Sequence, residues 1–200
     1  MKPFTLILLI LIASQAFAQT LEMPTSPLRD KLVAIADSYM GIREATGRND
    51  GPKVRKILRN VGLPEGNAWC AALQAQVHDD CNLPNPHSAY CPDWFKSNVV
   101  FEKDEMSIDK FQAKRGQVFG LWIEYKHRVG HMGMITGESR FSYYTDEGNI
   151  NSKGSDEGEG SDKYIRSKRS IHVIADYAMS REEKNLYLGK HRKIILKDAD

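Results

Sequence analysis

The hydrophobic period changes once along this chain, and that change governs what it can fold into. After Ser26-Pro27, a capping residue and a Pro suited to the first helical position, Leu28, Leu32, Ile35, Ala36 and Tyr39 share one helical face until Gly41. Val54, Ile57, Leu58 and Val61, stopped by Gly62, repeat the helical spacing. A third helix is expected from Trp69-Cys70-Ala71-Ala72-Leu73 on to Val77, its small residues suited to burial against a sheet. Beyond a Pro-rich connector over residues 83–92 the pattern is different. Residues 118–125, 131–136, 141–146 and 170–177 are short, rich in β-branched and aromatic residues, and separated by Gly or charged turns. Helices first and antiparallel strands second predict an α+β domain with its N-terminal helices packed on one face of a C-terminal sheet.

The first residues are of another kind. Met1-Lys2-Pro3, an apolar run over residues 6–12 and Ala16-Phe17-Ala18 form the pattern of a secretory signal peptide cut after Ala18. Residues 4–18 include Thr5, Ser14 and Gln15 and are too short for a membrane anchor, which needs about 20 apolar residues. The expected organisation is a signal peptide at 1–18, a linker at 19–27, one catalytic domain at 28–178 and a charged tail at 179–200 around Ile194-Ile195-Leu196. The product would be periplasmic or secreted, without a membrane span, in a compartment where disulfides form. With 28 basic against 26 acidic residues the formal charge is +2, so nothing points to an electrostatic grip on nucleic acid. A basic cluster at residues 166–169 and a polar stretch at 151–162 are expected to be solvated.

Three cysteines cannot all pair within one chain. Cys70 falls in the first turn of the third helix, where unpaired backbone N–H groups and the helix dipole favour a thiolate and can hold an oxyanion. Taken alone it is equally a small buried residue among alanines. A nucleophilic Cys needs a base, and the base needs an orienting acceptor. His131 lies in a strand beside Gly130 and Gly133, which allow close approach. Glu147 and Asn149 end the following strand, two residues apart and so expected on one face. Cys81 and Cys91 flank the Pro-rich connector at a separation that suits a disulfide, which would leave Cys70 as the free thiol; the alternative is two buried thiols.

Trp69-Cys70-Ala71-Ala72-Leu73, Gly130-His131-Met132-Gly133-Met134 and Glu147-Gly148-Asn149-Ile150-Asn151 resemble, in that order, the motifs of the CHAP family, the cysteine, histidine-dependent amidohydrolases and peptidases of the papain-like NlpC-type superfamily. Gly41-Ile42-Arg43-Glu44, Pro86-His87-Ser88-Ala89-Tyr90 and Asp93-Trp94-Phe95 look like its secreted bacterial branch. The resemblance implies a papain-like fold, Cys70 as nucleophile, His131 as base, Glu147 as third member and Asn149 as an accessory polar group. It also implies amide-bond cleavage in peptidoglycan or its peptide stems; separately, the Cys and His spacings offer no zinc pattern, and a monomer without cofactor is expected. Two departures are Gly116-Gln117-Val118, where members commonly carry Gly-Asp-Val, and Leu73 in place of an aromatic residue. Trp69, Trp94 and Trp122 are candidate groove walls, with core positions as the alternative. Asn49 and Asp50, or Asp156, Glu157, Glu159 and Asp162, could offer oxygens to calcium, but neither spacing fits an EF-hand loop. A papain-like acyltransferase and a non-catalytic wall-binding module are the competing functions.

Overall fold

The computed structural model describes residues 21–151 and 158–186. The expected signal peptide and the distal tail with Ile194-Ile195-Leu196 lie outside them, as do Asp156 and Glu157. Among the described residues, three helices come first. Helix α1 is Pro27–Ser38, capped by the Ser26 hydroxyl accepting from the Arg29 N–H; α2 is Pro52–Asn60; α3 is Cys70–Asp80. A short 3₁₀ helix, Cys91–Phe95, then leads into six strands: β1 Val99–Glu102, β2 Val118–Ile123, β3 Arg128–Glu138, β4 Ser142–Ile150, β5 Gly160–Ser167 and β6 Val173–Ala175. They form one antiparallel sheet in the order β1-β6-β2-β3-β4-β5. This is the α+β architecture that the change of period predicts.

Helix α3 is the pivot. Every residue from Cys70 to His78 is buried, because α1 and α2 cover one side of it and β3 and β4 the other. A helix enclosed on all sides has no use for an amphipathic stripe, which explains its run of small residues. Leu32, Val54, Ile57, Leu58, Trp69, Leu73 and Met134 pack the interface between helices and sheet. Close approach is built into β4 as well: a Cβ on Gly148 would meet Leu73 and Trp69 at 2.7 and 2.8 Å. The opposite face of the sheet has its own core around Phe101, Phe119, Ile135, Tyr143 and Ile174.

Two strands were not expected. β1 is a four-residue edge strand, and β5 occupies the other edge from within the stretch expected to be solvated. In β5, Ser161 is fully buried, accepting from the Ile42 N–H and donating to the Tyr39 carbonyl at 3.1 and 2.6 Å. The proximal tail is also anchored. Residues 181–186 are helical, and Glu183 pairs with Lys114 and Arg29. Gln117, the residue in place of Asp, donates to the buried carboxylate of Asp176, which Arg29 also holds at 2.8 Å. Among the described residues no helix is long and apolar enough to cross a membrane.

Candidate active site

Cys70 is the first residue of α3, and no side chain caps that helix, so the N–H groups of its first turn are left for an anion. The residue before it is fixed by Glu44, whose carboxylate accepts from Trp69 Nε1 at 2.9 Å and from the Asn49 N–H at 2.7 Å. Cys70 itself is 2% exposed. The backbone N–H of Met132 on β3 is among the influences that lower the Cys70 thiol pKa. That donor is free for the purpose because β3 and β4 pair only as far as Met134 and Asp146, leaving the β4-facing edge of β3 open from His131 to Gly133.

Within that opening His131 and Glu147 meet. His131 Nε2 lies 2.7 Å from Glu147 Oε2, and both side chains are almost wholly buried. The contact depends on Gly133: a Cβ there would meet Glu147 Cγ at 2.7 Å and the Asp146 carbonyl at 2.9 Å. Glu147 also accepts from the Thr145 hydroxyl at 2.6 Å and from Arg166, Nε to Oε1 at 2.8 Å and Nη2 to Oε2 at 2.6 Å. Burial pushes the Glu147 carboxyl up, but Arg166 and then His131 outweigh it and hold the group down at about 2. An ionised Glu147 only accepts, so His131 carries its proton on Nε2. The other nitrogen, Nδ1, is buried outside ordinary hydrogen-bond geometry and is the one left for the thiol.

The thiol and the imidazole perturb each other. Burial lowers the His131 pKa, but Cys70 and Glu147 more than reverse it, to about 9. Cys70 is drawn well below an ordinary thiol, first by a contact with Cys91 and then, against burial, by His131 and the Met132 N–H. The two shifts run in opposite directions, as they do where a thiol can pass its proton to a neighbouring imidazole.

Cys91 corrects the expected disulfide. All three cysteines are free, and Cys91 lies not with Cys81 but 3.5 Å from Cys70, sulfur to sulfur. Cys81 belongs to the helix-side core, and burial pushes its thiol up. Ser88 brings Cys91 into place: its hydroxyl donates to Asp93 at 2.6 Å, and its carbonyl accepts from Trp94 Nε1 at 3.0 Å.

Two of the three tryptophans are core residues rather than groove walls. Trp69 and Trp94 are completely buried, the latter edge-on to His78 and Tyr177. Trp122 is 43% exposed and stacks on His172 beside Phe95, His127 and Arg128, in a cavity of about 250 Å³. Asn149 is buried, but it is the extra residue of a β-bulge with left-handed backbone, φ 57, so the two-residue alternation expected to align it with Glu147 is broken. Arg166, expected to be solvated, is the guanidinium on Glu147. Glu44, Cys91 and Arg166 were all missed as site residues. For Arg166 the available signal was Tyr164-Ile165, a β-prone pair within the charged stretch.

Beside the site, on the neighbouring position of β4, Asp146 is fully buried and no donor reaches either of its oxygens. Burial and the adjacent Asp37 carboxylate, which Lys163 holds at 2.6 Å, raise Asp146 to about 7. Among the described residues no three or more His, Cys, Asp or Glu side chains are arranged to hold a metal ion. Asp50 instead accepts from the N–H and hydroxyl of Thr46, and Asp162 pairs with Arg43. No family model matches this chain, and no curated protein is significantly similar to it.

Proposed function

We propose that this chain is an exported bacterial cysteine hydrolase of the CHAP type that cleaves amide bonds in peptidoglycan. The observation that carries the reading is one constellation: a thiol at an uncapped helix N-terminus and an imidazole whose far nitrogen is held at 2.7 Å by an ionised, buried carboxylate. The conjunction supports nucleophilic acyl chemistry over a wall-binding role, since a binding module has no need of a buried thiolate–imidazolium pair.

In this reading the Cys70 thiolate attacks the amide carbonyl, and the developing oxyanion takes up N–H groups at the start of α3. The His131 imidazolium gives its Nδ1 proton to the leaving amine. The neutral ring then removes a proton from water as the water attacks the thioester, which returns the thiolate. Glu147 stabilises the imidazolium and keeps the ring in the tautomer that presents Nδ1 to sulfur. Trp122 is the tryptophan available to a substrate, and the stem peptide is the proposed ligand. The test is digestion of purified peptidoglycan by the mature chain and by Cys70→Ala, followed by mass spectrometry of the muropeptides. New amine and carboxyl termini produced by the first and absent with the second are expected. Identical muropeptide profiles would refute the hydrolase reading.

A further inference from the structure

The proposed mechanism gives no task to the second sulfur in the site. Cys91 Sγ lies 3.5 Å from Cys70 Sγ, and the two residues are 3% and 2% exposed. A disulfide needs an S–S distance of about 2.05 Å, so a closure of about 1.5 Å would join them. The elements carrying the two sulfurs make such a step feasible. Cys70 is fixed at the head of the enclosed helix α3, whereas Cys91 opens a five-residue 3₁₀ helix that follows the Pro-rich connector. The closure asks for a shift of the Cys91 side chain and the first residue of that short helix, while Trp94 stays tied to Ser88 and Tyr177.

We propose that Cys70 and Cys91 are an oxidative modification site, a thiol pair that a hydroperoxide closes to a disulfide, storing the nucleophile in a protected and inactive form. The chemistry runs in two steps. The Cys70 thiolate attacks one oxygen of hydrogen peroxide; the O–O bond breaks, hydroxide leaves, and Cys70 becomes a sulfenic acid. The sulfur of Cys91 then attacks the Cys70 sulfur, giving the disulfide as the S–O bond breaks. The thiol proton of Cys91 leaves with that oxygen as water, and the proton that Cys70 had already given to His131 neutralises the hydroxide. Two thiols are oxidised by two electrons, and one peroxide is reduced to two waters. The burial of both sulfurs favours so small an oxidant over a protein disulfide. Cys91 meets the requirement for a resolving thiol, being already in contact, and it intercepts the sulfenic acid before further peroxide can make the irreversible sulfinic acid. Reduction by a dithiol reverses the closure.

The proposal rests on the thiolate character assigned to Cys70, but its test requires no substrate. The mature chain and its Cys91→Ser and Cys91→Ala variants are exposed to hydrogen peroxide, then followed by intact mass and non-reducing peptide mapping. For the parent chain the expected result is loss of two hydrogens, one fragment linking Cys70 to Cys91, and full return of iodoacetamide labelling at Cys70 after dithiothreitol. Both variants should instead gain two or three oxygens at Cys70, as sulfinic or sulfonic acid, and fail to recover labelling after dithiothreitol. Oxygen gain at Cys70 in the parent chain without a Cys70–Cys91 link, or variants that recover as fully as the parent, would overturn it. Failure of peptidoglycan cleavage with the mass result intact would remove the hydrolase reading alone.

Discussion

Arg166 holds Glu147 with two nitrogens, Nε on Oε1 at 2.8 Å and Nη2 on Oε2 at 2.6 Å, while His131 Nε2 shares Oε2. The guanidinium reaches the carboxylate across Tyr164, with its carbon 4.5 Å from that ring's centre. Its side chain is only 12% exposed, so the pair acts where water screens poorly. The Glu147 charge thus has a fixed counterion, and the imidazolium can form and vanish without leaving that charge buried alone.

Removing the fork should cost both stability and rate. Arg166→Gln leaves the Glu147 charge without its counterion, and urea unfolding should show a loss of about 3–5 kcal/mol. Turnover should fall roughly 10- to 100-fold, or about 1.4–2.8 kcal/mol in the barrier. Arg166→Lys keeps the charge without the fork and should lie between. Unchanged unfolding in Arg166→Gln would show that the pair contributes nothing.

The roles of His131 and Glu147 separate by magnitude. His131→Ala should reduce turnover to background, because the thiol loses its base. Glu147→Gln keeps an acceptor but loses the charge that stabilises the imidazolium, and should cost on the order of 10²–10⁴ in turnover. The double variant should be no slower than His131→Ala, since the residues act as a unit. Additive losses would contradict the arrangement.

The thiolate should persist across neutral pH. Because Cys70 is lowered and His131 is raised to about 9, iodoacetamide alkylation should proceed below pH 7. It should change again only as the imidazolium loses its proton near 9. In His131→Ala the rate should instead rise with pH through about 8.5 or above, as for an ordinary or buried thiol. A parent chain whose labelling rate rises with pH as in His131→Ala would exclude the ion pair.

Stability should decline at both ends of the pH range. Glu147 is depressed to about 2, so its contribution is present above the ordinary carboxyl pKa of about 4.3 and is lost as pH falls toward 2. His131 is raised to about 9, so its contribution is complete below about 6.5 and is lost as pH rises to 9. Asp146, raised to about 7 with Asp37, Lys163 and Glu147 around it, favours the folded state at low pH, and that contribution is lost as pH climbs from the ordinary carboxyl value of about 3.9 to 7. Asp146→Asn places an uncharged donor beside Asp37. Its Tm should therefore exceed the parent's at pH 8, by the equivalent of a few kcal/mol, and match it only below about pH 4, where Asp146 is protonated in both states. Equal Tm differences at the two pH values would mean that Asp146 does not titrate in this range.

Trp122 should separate binding from folding. It is 43% exposed, tilted against His172 and donates Nε1 to Glu124 at 2.9 Å, so Trp122→Ala should raise KM several-fold on peptidoglycan and leave the unfolding free energy within about 0.5 kcal/mol of the parent. Trp69→Ala, which empties a core position, should lose about 3–5 kcal/mol in urea unfolding.

The sequence by itself determined the helices, the change to an antiparallel sheet and the placement of Cys70 at a helix start, because periodicity, caps and glycine stops are local signals. It also singled out His131 and Glu147 by their order. What it left hidden was nonlocal. Arg166 lies on an edge strand with charged side chains on its open face, so β5 has no strong alternation of its own and exists because β4 offers it a ladder. Cys91 is 21 positions from Cys70, and its contact depends on how the connector folds back through Ser88. Asn149 stands at a one-residue bulge that the strand periodicity does not reveal. The pairing of sulfur with sulfur and carboxylate with guanidinium was decided only when the sheet edge and the connector closed on α3, since the energies that select those contacts exist only in the packed, water-poor interior.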